Sequence, residues 1–234
     1  VQKLLQRYSL TYIHIQKMSD PYQPLTVDLN LLRSPINGST TIYSQFAQDL
    51  FVIAMTNAKE NGTYLEIGCG WPIGGGNNTY TLEKQFGWTG TSVDNGRDAS
   101  ENWRPLSEEW HANRPKADFK CLDAFAVDYT KYPKYFDYLQ IDIDPAEQSF
   151  NILKQITQHI RFGLITFEHD YCLFETTVKE KSREYLESKG YICVIPGIGG
   201  EDWWADPNII DQDLINIYTQ TDPLQEKTKC LLKE

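Results

Sequence analysis

The sequence predicts an α/β fold: a doubly wound, seven-stranded, mainly parallel sheet with helices on both faces and an antiparallel last strand. Three observations predict it. Short apolar runs recur at the interval of a strand plus a crossover helix, segments with helical apolar spacing fill the gaps, and an acidic residue closes five of the runs.

Residues 1–40, with Pro21, Pro24 and Pro35, read as an N-terminal extension; 41–220 as one α/β domain; 221–234 as a C-terminal tail. The chain starts at Val1, so an upstream piece is expected to precede it. Ser44 is the expected N-cap of a first helix, in which Phe46, Leu50 and Ala54 share a face with Phe51 and Met55. The apolar runs follow: "TYLEI", "TSVD", "FKCL", "FDYLQID", "LITFEH" and "YICVI". They begin at Thr63, Thr91, Phe119, Phe136, Leu164 and Tyr191, separations of 28, 28, 17, 28 and 27 residues. Between the fourth and fifth, Phe150, Leu153, Ile156 and Ile160 mark a helix over 146–160. The gap from "YICVI" to "EDWWA" is too short for a crossover helix, so a hairpin and an antiparallel seventh strand are expected there. Its Trp203 and Trp204 could present a sugar platform or plug the core, one each if they alternate on a strand.

Bulk properties narrow the function. With 234 residues and 41% hydrophobic content, one good-sized core is attainable. A net charge of -10 suits neither nucleic-acid backbone nor an anionic membrane, and tolerates a cationic ligand. No run nears the roughly 18 apolar residues of a membrane span. The five cysteines, Cys69, Cys121, Cys172, Cys193 and Cys230, are odd in number without a C-x-x-C pair. Cys121 and Cys193 are expected as buried small hydrophobes, in a reducing, cytoplasmic setting. The three N-x-S/T matches at Asn37, Asn61 and Asn77 are then coincidences of sequence.

In such sheets ligands bind at the carboxyl ends of strands, where Glu66, Asp94, Asp123, Asp142 and Glu168 fall. The stretch "YLEIGCGWPIGGGNN" places five of the 15 glycines within nine positions behind the first run. Gly68 and Gly70 form a G-x-G turn, against which a ligand can lie only where Cβ atoms are missing. A tight turn with no ligand is the alternative, and a Rossmann dinucleotide turn a second. Against the dinucleotide stand Glu66 in the strand, Trp71 and Pro72 delaying the helix, and the widening by Gly74 to Gly76. A phosphate-free ligand with a ribose and a positive centre fits better, and S-adenosylmethionine is one.

At these residues the chain resembles a known family. "YLEIGCG" resembles the first motif of class I methyltransferases, while "SVDNG" and "CLDAF" sit where the second and third would be. Residues 44–207 are similar to the FkbM-type methyltransferases through "YSQFAQD", "NNTYTLEKQFGWTGTSVD" and "FDYLQIDIDPAE". The last parallels the family's D-x-E-G-x-E pattern, with Asp144 and Pro145 departing from it. The resemblance implies that Gly68 and Gly70 pass under S-adenosylmethionine, Glu66 lies near its amino-acid end and Asp94 binds its ribose. Asp123 would meet the adenine, with Ala124 and Phe125 against the ring. Asn78 and Thr79 would cap the next helix near the cofactor.

For transfer to a sugar or glycan hydroxyl, the protein must align the acceptor and take its proton. Asp142, Asp144 and His169 are the candidates for that work. His111 and His159 read as solvated, and His14 lies in the extension. Asp142, Glu168 and Asp170 could hold magnesium through oxygen ligands, or form a metal-free acidic rim. Two other functions stay open: an NAD(P)-dependent oxidoreductase, and a non-catalytic binding protein with this fold.

Overall fold

The computed structural model describes residues 23–29, 38–74, 76–96, 106–171 and 177–219. His14, Asn37, Gly75, Cys172 and Cys230 lie outside the described residues. The chain divides into two units, Val1–Cys121 and Leu122–Glu234. Among the described residues no helix is long and apolar enough to cross a membrane.

The first unit opens with β1 (Leu25–Asp28) and β2 (Ser39–Ile42), an antiparallel pair in register Leu25 to Ile42. Then come α1 (Gln48–Met55), β3 (Thr63–Ile67), α2 (Tyr80–Phe86), β4 (Thr89–Asp94), α3 (Leu106–Asn113) and β5 (Asp118–Cys121). The second unit carries β6 (Tyr135–Ile141), α4 (Ala146–Thr157), β7 (Arg161–Glu168), α5 (Val178–Ser188), β8 (Ile192–Ile198), β9 (Glu201–Ala205) and α6 (Gln212–Thr219).

Seven strands form one sheet in the order β5-β4-β3-β6-β7-β9-β8. β3, β4 and β5 pair in parallel, as do β6 and β7, while β9 runs antiparallel to both β7 and β8. The predicted fold class is therefore the observed one, including the antiparallel last strand. Parallel strands buried on both faces read as unbroken apolar runs, which is why "TYLEI" coincides with β3 and the other runs fall within three residues of theirs. The expected hairpin joins β8 to β9. Gly199 (φ 57°) and Gly200 (φ 93°) supply two consecutive positive φ angles, the requirement of a type I′ turn.

Three local expectations change. First, both tryptophans of β9 are wholly buried, because β9 lies between β7 and β8 rather than at the sheet's end. Neither can offer a sugar platform: Trp203 and Trp204 are core, and the Trp203 indole N–H donates to Glu201 Oε2 at 2.8 Å. Second, Cys121 ends the short edge strand β5 and is exposed, and Cys193 is half-buried, so neither is the buried hydrophobe expected. An edge strand lacks the neighbour that would cover one side.

Third, α1 starts at Gln48 after Ala47 in a left-handed conformation (φ 69°), not at Ser44. Ser44 is a partner of Asp49, its hydroxyl and N–H both bonding that carboxylate. Tyr43 N–H and Thr81 Oγ1 donate to the same Asp49 Oδ2, each at 2.8 Å. Burial pushes the Asp49 carboxyl up, against these donors. All eight residues of α1 are buried, so it has no solvated face of the kind an amphipathic surface helix shows. By contrast α4 buries Leu153 and Ile156 of the expected stripe together with Ala146, Ser149 and Ile152, and ends at Thr157, short of the expected Ile160. Phe150 is half-buried and meets the Tyr185 ring edge-on at 5.9 Å.

Candidate functional site

In the first unit, β3 ends at Ile67 and the chain turns through Gly68 (φ 78°) and Gly70 (φ 56°). Gly68 N–H donates to Val93 O at 2.9 Å, tying the turn to β4. Positive φ at Gly70 disfavours any residue with a Cβ, yet a Cβ built there meets nothing within 4 Å. The glycine is thus demanded by backbone conformation, and the space it faces is open.

Asp94, the last residue of β4, closes on this turn. Gly70 N–H donates to Asp94 Oδ2 at 2.9 Å, and Gly96 N–H donates to Oδ1 at 2.8 Å. The sequence places Asp94 beside the turn, and the structure shows it also bracing it. From the other side, Trp110 Nε1–H donates to Gly70 O at 2.9 Å, so both polar groups of the Gly70 backbone are held by buried side chains.

Asn77 holds the next residues. Its Nδ2 donates to Cys69 O at 3.3 Å and Trp71 O at 3.1 Å. Its Oδ1 accepts from Thr79 N–H at 3.1 Å and Tyr80 N–H at 2.8 Å. Capping of α2 therefore falls to Asn77, not to Asn78 and Thr79, because Asn77 Oδ1 faces the helix's first free N–H groups. Asn78 is buried at 6% exposure, its Oδ1 without a hydrogen-bond partner among the described residues.

Glu66 is wholly buried inside β3. Its Oε2 accepts from Thr79 Oγ1 and Ser92 Oγ, both at 2.8 Å, while Oε1 has no hydrogen-bond partner among the described residues. Burial pushes its carboxyl up, and Arg114 and the two hydroxyls oppose that shift. Arg114, just past α3, is 1% exposed. Its guanidinium reaches Glu83 (2.7 Å), Tyr64 Oη (2.8 Å), Thr79 Oγ1 (3.0 Å), Asn77 Oδ1 (3.1 Å) and Pro72 O (3.4 Å). It also stacks 4.4 Å from the centroid of Trp110. Sequence reasoning missed Trp110, Arg114 and the cap at Asn77. Trp110 follows Leu106 at helical spacing and reads only as core, and nothing local marks Arg114.

In the second unit, Asp123 is exposed and its Oδ1 accepts from Phe125 N–H at 2.8 Å, capping the short 3-10 turn Ala124–Ala126. Ala124 is buried, its carbonyl accepting from Tyr129 Oη–H at 2.9 Å, while Phe125 is 40% exposed.

The acidic residues after β6 and at the end of β7 do come together. Burial pushes the Glu168 carboxyl well up, and the adjacent Asp142, with which it shares a hydrogen bond, pushes it further. Asp170, in a left-handed conformation (φ 51°), is pushed up to about 6 by burial and by Asp142 and Asp144, with a Glu168 hydrogen bond opposing. Carboxylates packed this closely hold their protons more tightly than isolated ones, and they titrate as a group. Among the described residues no group of three or more His, Cys, Asp or Glu side chains is arranged to hold a metal ion. Of the two arrangements expected for Asp142, Glu168 and Asp170, the hydrogen bonds that Glu168 shares with Asp142 and with Asp170 fit the acidic rim, and nothing in the geometry supports the magnesium site. Asp144 is exposed.

His169 sits apart from solvent at 1% exposure. Tyr171 N–H donates to its Nδ1 at 3.3 Å, and its Nε2 lies 3.5 Å from Asp202 Oδ1. Asp202 is gripped by Arg183 through Nε (2.7 Å) and Nη2 (2.8 Å) and accepts from Gly197 N–H at 2.6 Å. Its burial alone would raise the Asp202 carboxyl, but Arg183 and His169 bring it down below its ordinary value. His169 N–H and Asp170 N–H both donate to Gly200 O, at 2.8 and 3.1 Å, clamping the end of β7 to the β8–β9 turn.

No protein-family model matches this chain, and no curated protein matches it. Solved structures similar to it include a precorrin 8W decarboxylase from Methanobacterium thermoautotrophicum (16% identity, 65% of this chain and 76% of that one, TM-score 0.41). Another is the Burkholderia thailandensis 1,6-didemethyltoxoflavin-N1-methyltransferase with S-adenosylhomocysteine (14%, 68% and 74%, TM-score 0.40). A third is a plantazolicin methyltransferase in complex with SAH (15%, 78% and 76%, TM-score 0.43). At such distance the residues of this chain, not its neighbours, must carry the function.

Proposed function

We propose that this chain is an S-adenosylmethionine-dependent methyltransferase of the FkbM type, acting on a hydroxyl of a sugar or glycan. One observation carries the cofactor reading: an open-faced G-x-G turn whose Gly70 N–H is held by the carboxylate ending the next strand. The donor set fits. Two buried acceptors, Glu66 Oε1 and Asn78 Oδ1, have no hydrogen-bond partner among the described residues and belong to the residues around this turn. An ammonium group, which only donates, suits orphaned acceptors; a phosphate does not. The bound cofactor would supply an electrophilic methyl group.

The chain's own residues do the rest. Gly70 leaves the space on its side of the turn clear, and Gly68 supplies the turn's other positive φ angle. Asp94 is oriented by its two backbone bonds to accept from ribose hydroxyls, as an ionised carboxylate can take about four hydrogen bonds. In the second unit, Asp142 and the Glu168 that hydrogen-bonds it are the proton acceptor for the hydroxyl, since burial and the neighbouring charge push the Glu168 carboxyl well up and make it more basic. His169, whose Nδ1 accepts from Tyr171 N–H and whose Nε2 lies 3.5 Å from Asp202 Oδ1, positions Asp202 and the hairpin instead. Residues 41–220 form the domain, flanked by the extension and the tail; the choice of a sugar or glycan acceptor rests on the family resemblance.

A thermal-shift panel tests the cofactor assignment. Only a ligand of the native state stabilises by mass action, by about 2.7 kcal/mol at a hundred times its Kd. S-adenosylhomocysteine is expected to raise the melting temperature and NAD(P) to leave it unchanged. The opposite result supports the oxidoreductase reading and overturns this one.

A further inference from the structure

The G-x-G turn is held in place by residues that face away from its open side. Trp110 Nε1–H donates to Gly70 O. Arg114 stacks on that same indole and donates to Pro72 O and to Asn77 Oδ1. Asn77 in turn donates to Cys69 O and Trp71 O. Four consecutive carbonyls, at residues 69–72, are thus taken by three buried side chains, two of them supplied by α3 and the residue after it. Trp110 is wholly buried, packs with Cys69 and Leu106, and stacks on Phe119 at 4.9 Å. A loop of glycines has many conformations to lose, and ordering it before a ligand arrives removes that cost from binding.

We infer that Trp110 and Arg114 are positioning residues for the ligand-binding turn, setting its affinity without forming part of its open face. This rests on the cofactor reading for the identity of the ligand, not for the turn's rigidity. A merely structural role makes a different prediction, because the same unit holds an internal control. Trp88 is equally buried and makes the same kind of bond, Nε1–H to Lys59 O at 2.7 Å, at the other end of β3. If the indole bonds only stabilise the fold, Trp110→Phe and Trp88→Phe act alike.

The test compares the full chain with Trp110→Phe, Trp88→Phe and Arg114→Lys in two measurements. Amide hydrogen exchange on the ligand-free protein reads the turn directly, and calorimetric titration with S-adenosylhomocysteine reads affinity. Trp110→Phe is expected to speed exchange at Gly70 and Trp71 and to weaken binding roughly three- to tenfold, the worth of one neutral hydrogen bond. Trp88→Phe is expected to lower the melting temperature with no change at Gly70 and no change in affinity. Arg114→Lys keeps the charge but loses the planar fork, and is expected to follow Trp110→Phe, so it decides the matter should Trp110→Phe not fold. Unchanged exchange at Gly70 in both α3-side variants overturns the inference, as does an equal affinity loss in Trp88→Phe. If the wild-type protein does not bind S-adenosylhomocysteine at all, the cofactor reading fails, and the exchange measurement still decides whether the turn is held from α3.

Discussion

Asp94 Oδ2 accepts the Gly70 N–H at 2.9 Å, joining the end of one parallel strand to the turn that follows the next. A carboxylate in that place has two duties, bracing the turn and facing whatever lies against it, and the two can be separated by mutation.

Asp94→Ala removes the acceptor for both Gly70 and Gly96. S-adenosylhomocysteine binding is expected to weaken by roughly 1.5–3 kcal/mol for each charge-assisted bond lost, read by calorimetry. Unchanged affinity would take Asp94 out of the site.

Gly70→Ala separates conformation from space. The left-handed backbone costs an alanine about 1–2 kcal/mol, while its Cβ meets nothing within 4 Å. Urea unfolding should show a loss of that size, and Gly70→Val should abolish ligand binding in a protein that still folds cooperatively. A Gly70→Val variant that binds normally would show that nothing lies against this turn.

The strand pattern was legible because strands covered on both faces are apolar throughout, and the acidic residues at their ends are local facts of sequence. What could not be read is what depends on partners distant in the chain. Ser44 looks like a cap until Asp49 claims it, and Asn78 looks like one until Asn77 faces the helix. Cys121 differs in exposure from a buried strand cysteine because its strand is last in the sheet. Arg114 lies 37 residues from Asn77, so no local pattern connects it to the turn. The two tryptophans of "EDWWA" are core because β9 slots between β7 and β8, an ordering that spacing alone does not fix.

That placement predicts unequal indoles. Trp203→Phe breaks the bond to Glu201, whereas Trp204→Phe removes an N–H that has no partner. With similar volume lost, denaturant unfolding should find Trp203→Phe more destabilising, by about 0.5–1.5 kcal/mol, the net worth of one hydrogen bond. Neither variant should change affinity for a glycan acceptor; a selective loss of glycan binding would restore the platform.

The acidic cluster predicts a pH dependence. Asp170 is held up to about 6 in the folded chain, so between its unfolded value near 4 and that point the folded state binds more protons than the unfolded one. Its favourable contribution is full below about pH 4 and is lost as pH rises through 6. Asn cannot ionise and tolerates the left-handed backbone, so the stability of Asp170→Asn relative to wild type should rise from pH 4 to 7. A flat or falling difference in urea midpoints would show that Asp170 ionises freely.

The most direct test of the central claim is a calorimetric titration of the wild-type protein with S-adenosylhomocysteine, run beside NADH. S-adenosylhomocysteine is expected to bind saturably, one to one, in a way that Gly70→Val abolishes, and NADH not to bind. Binding of NADH alone, or S-adenosylhomocysteine binding untouched by Gly70→Val, would contradict it.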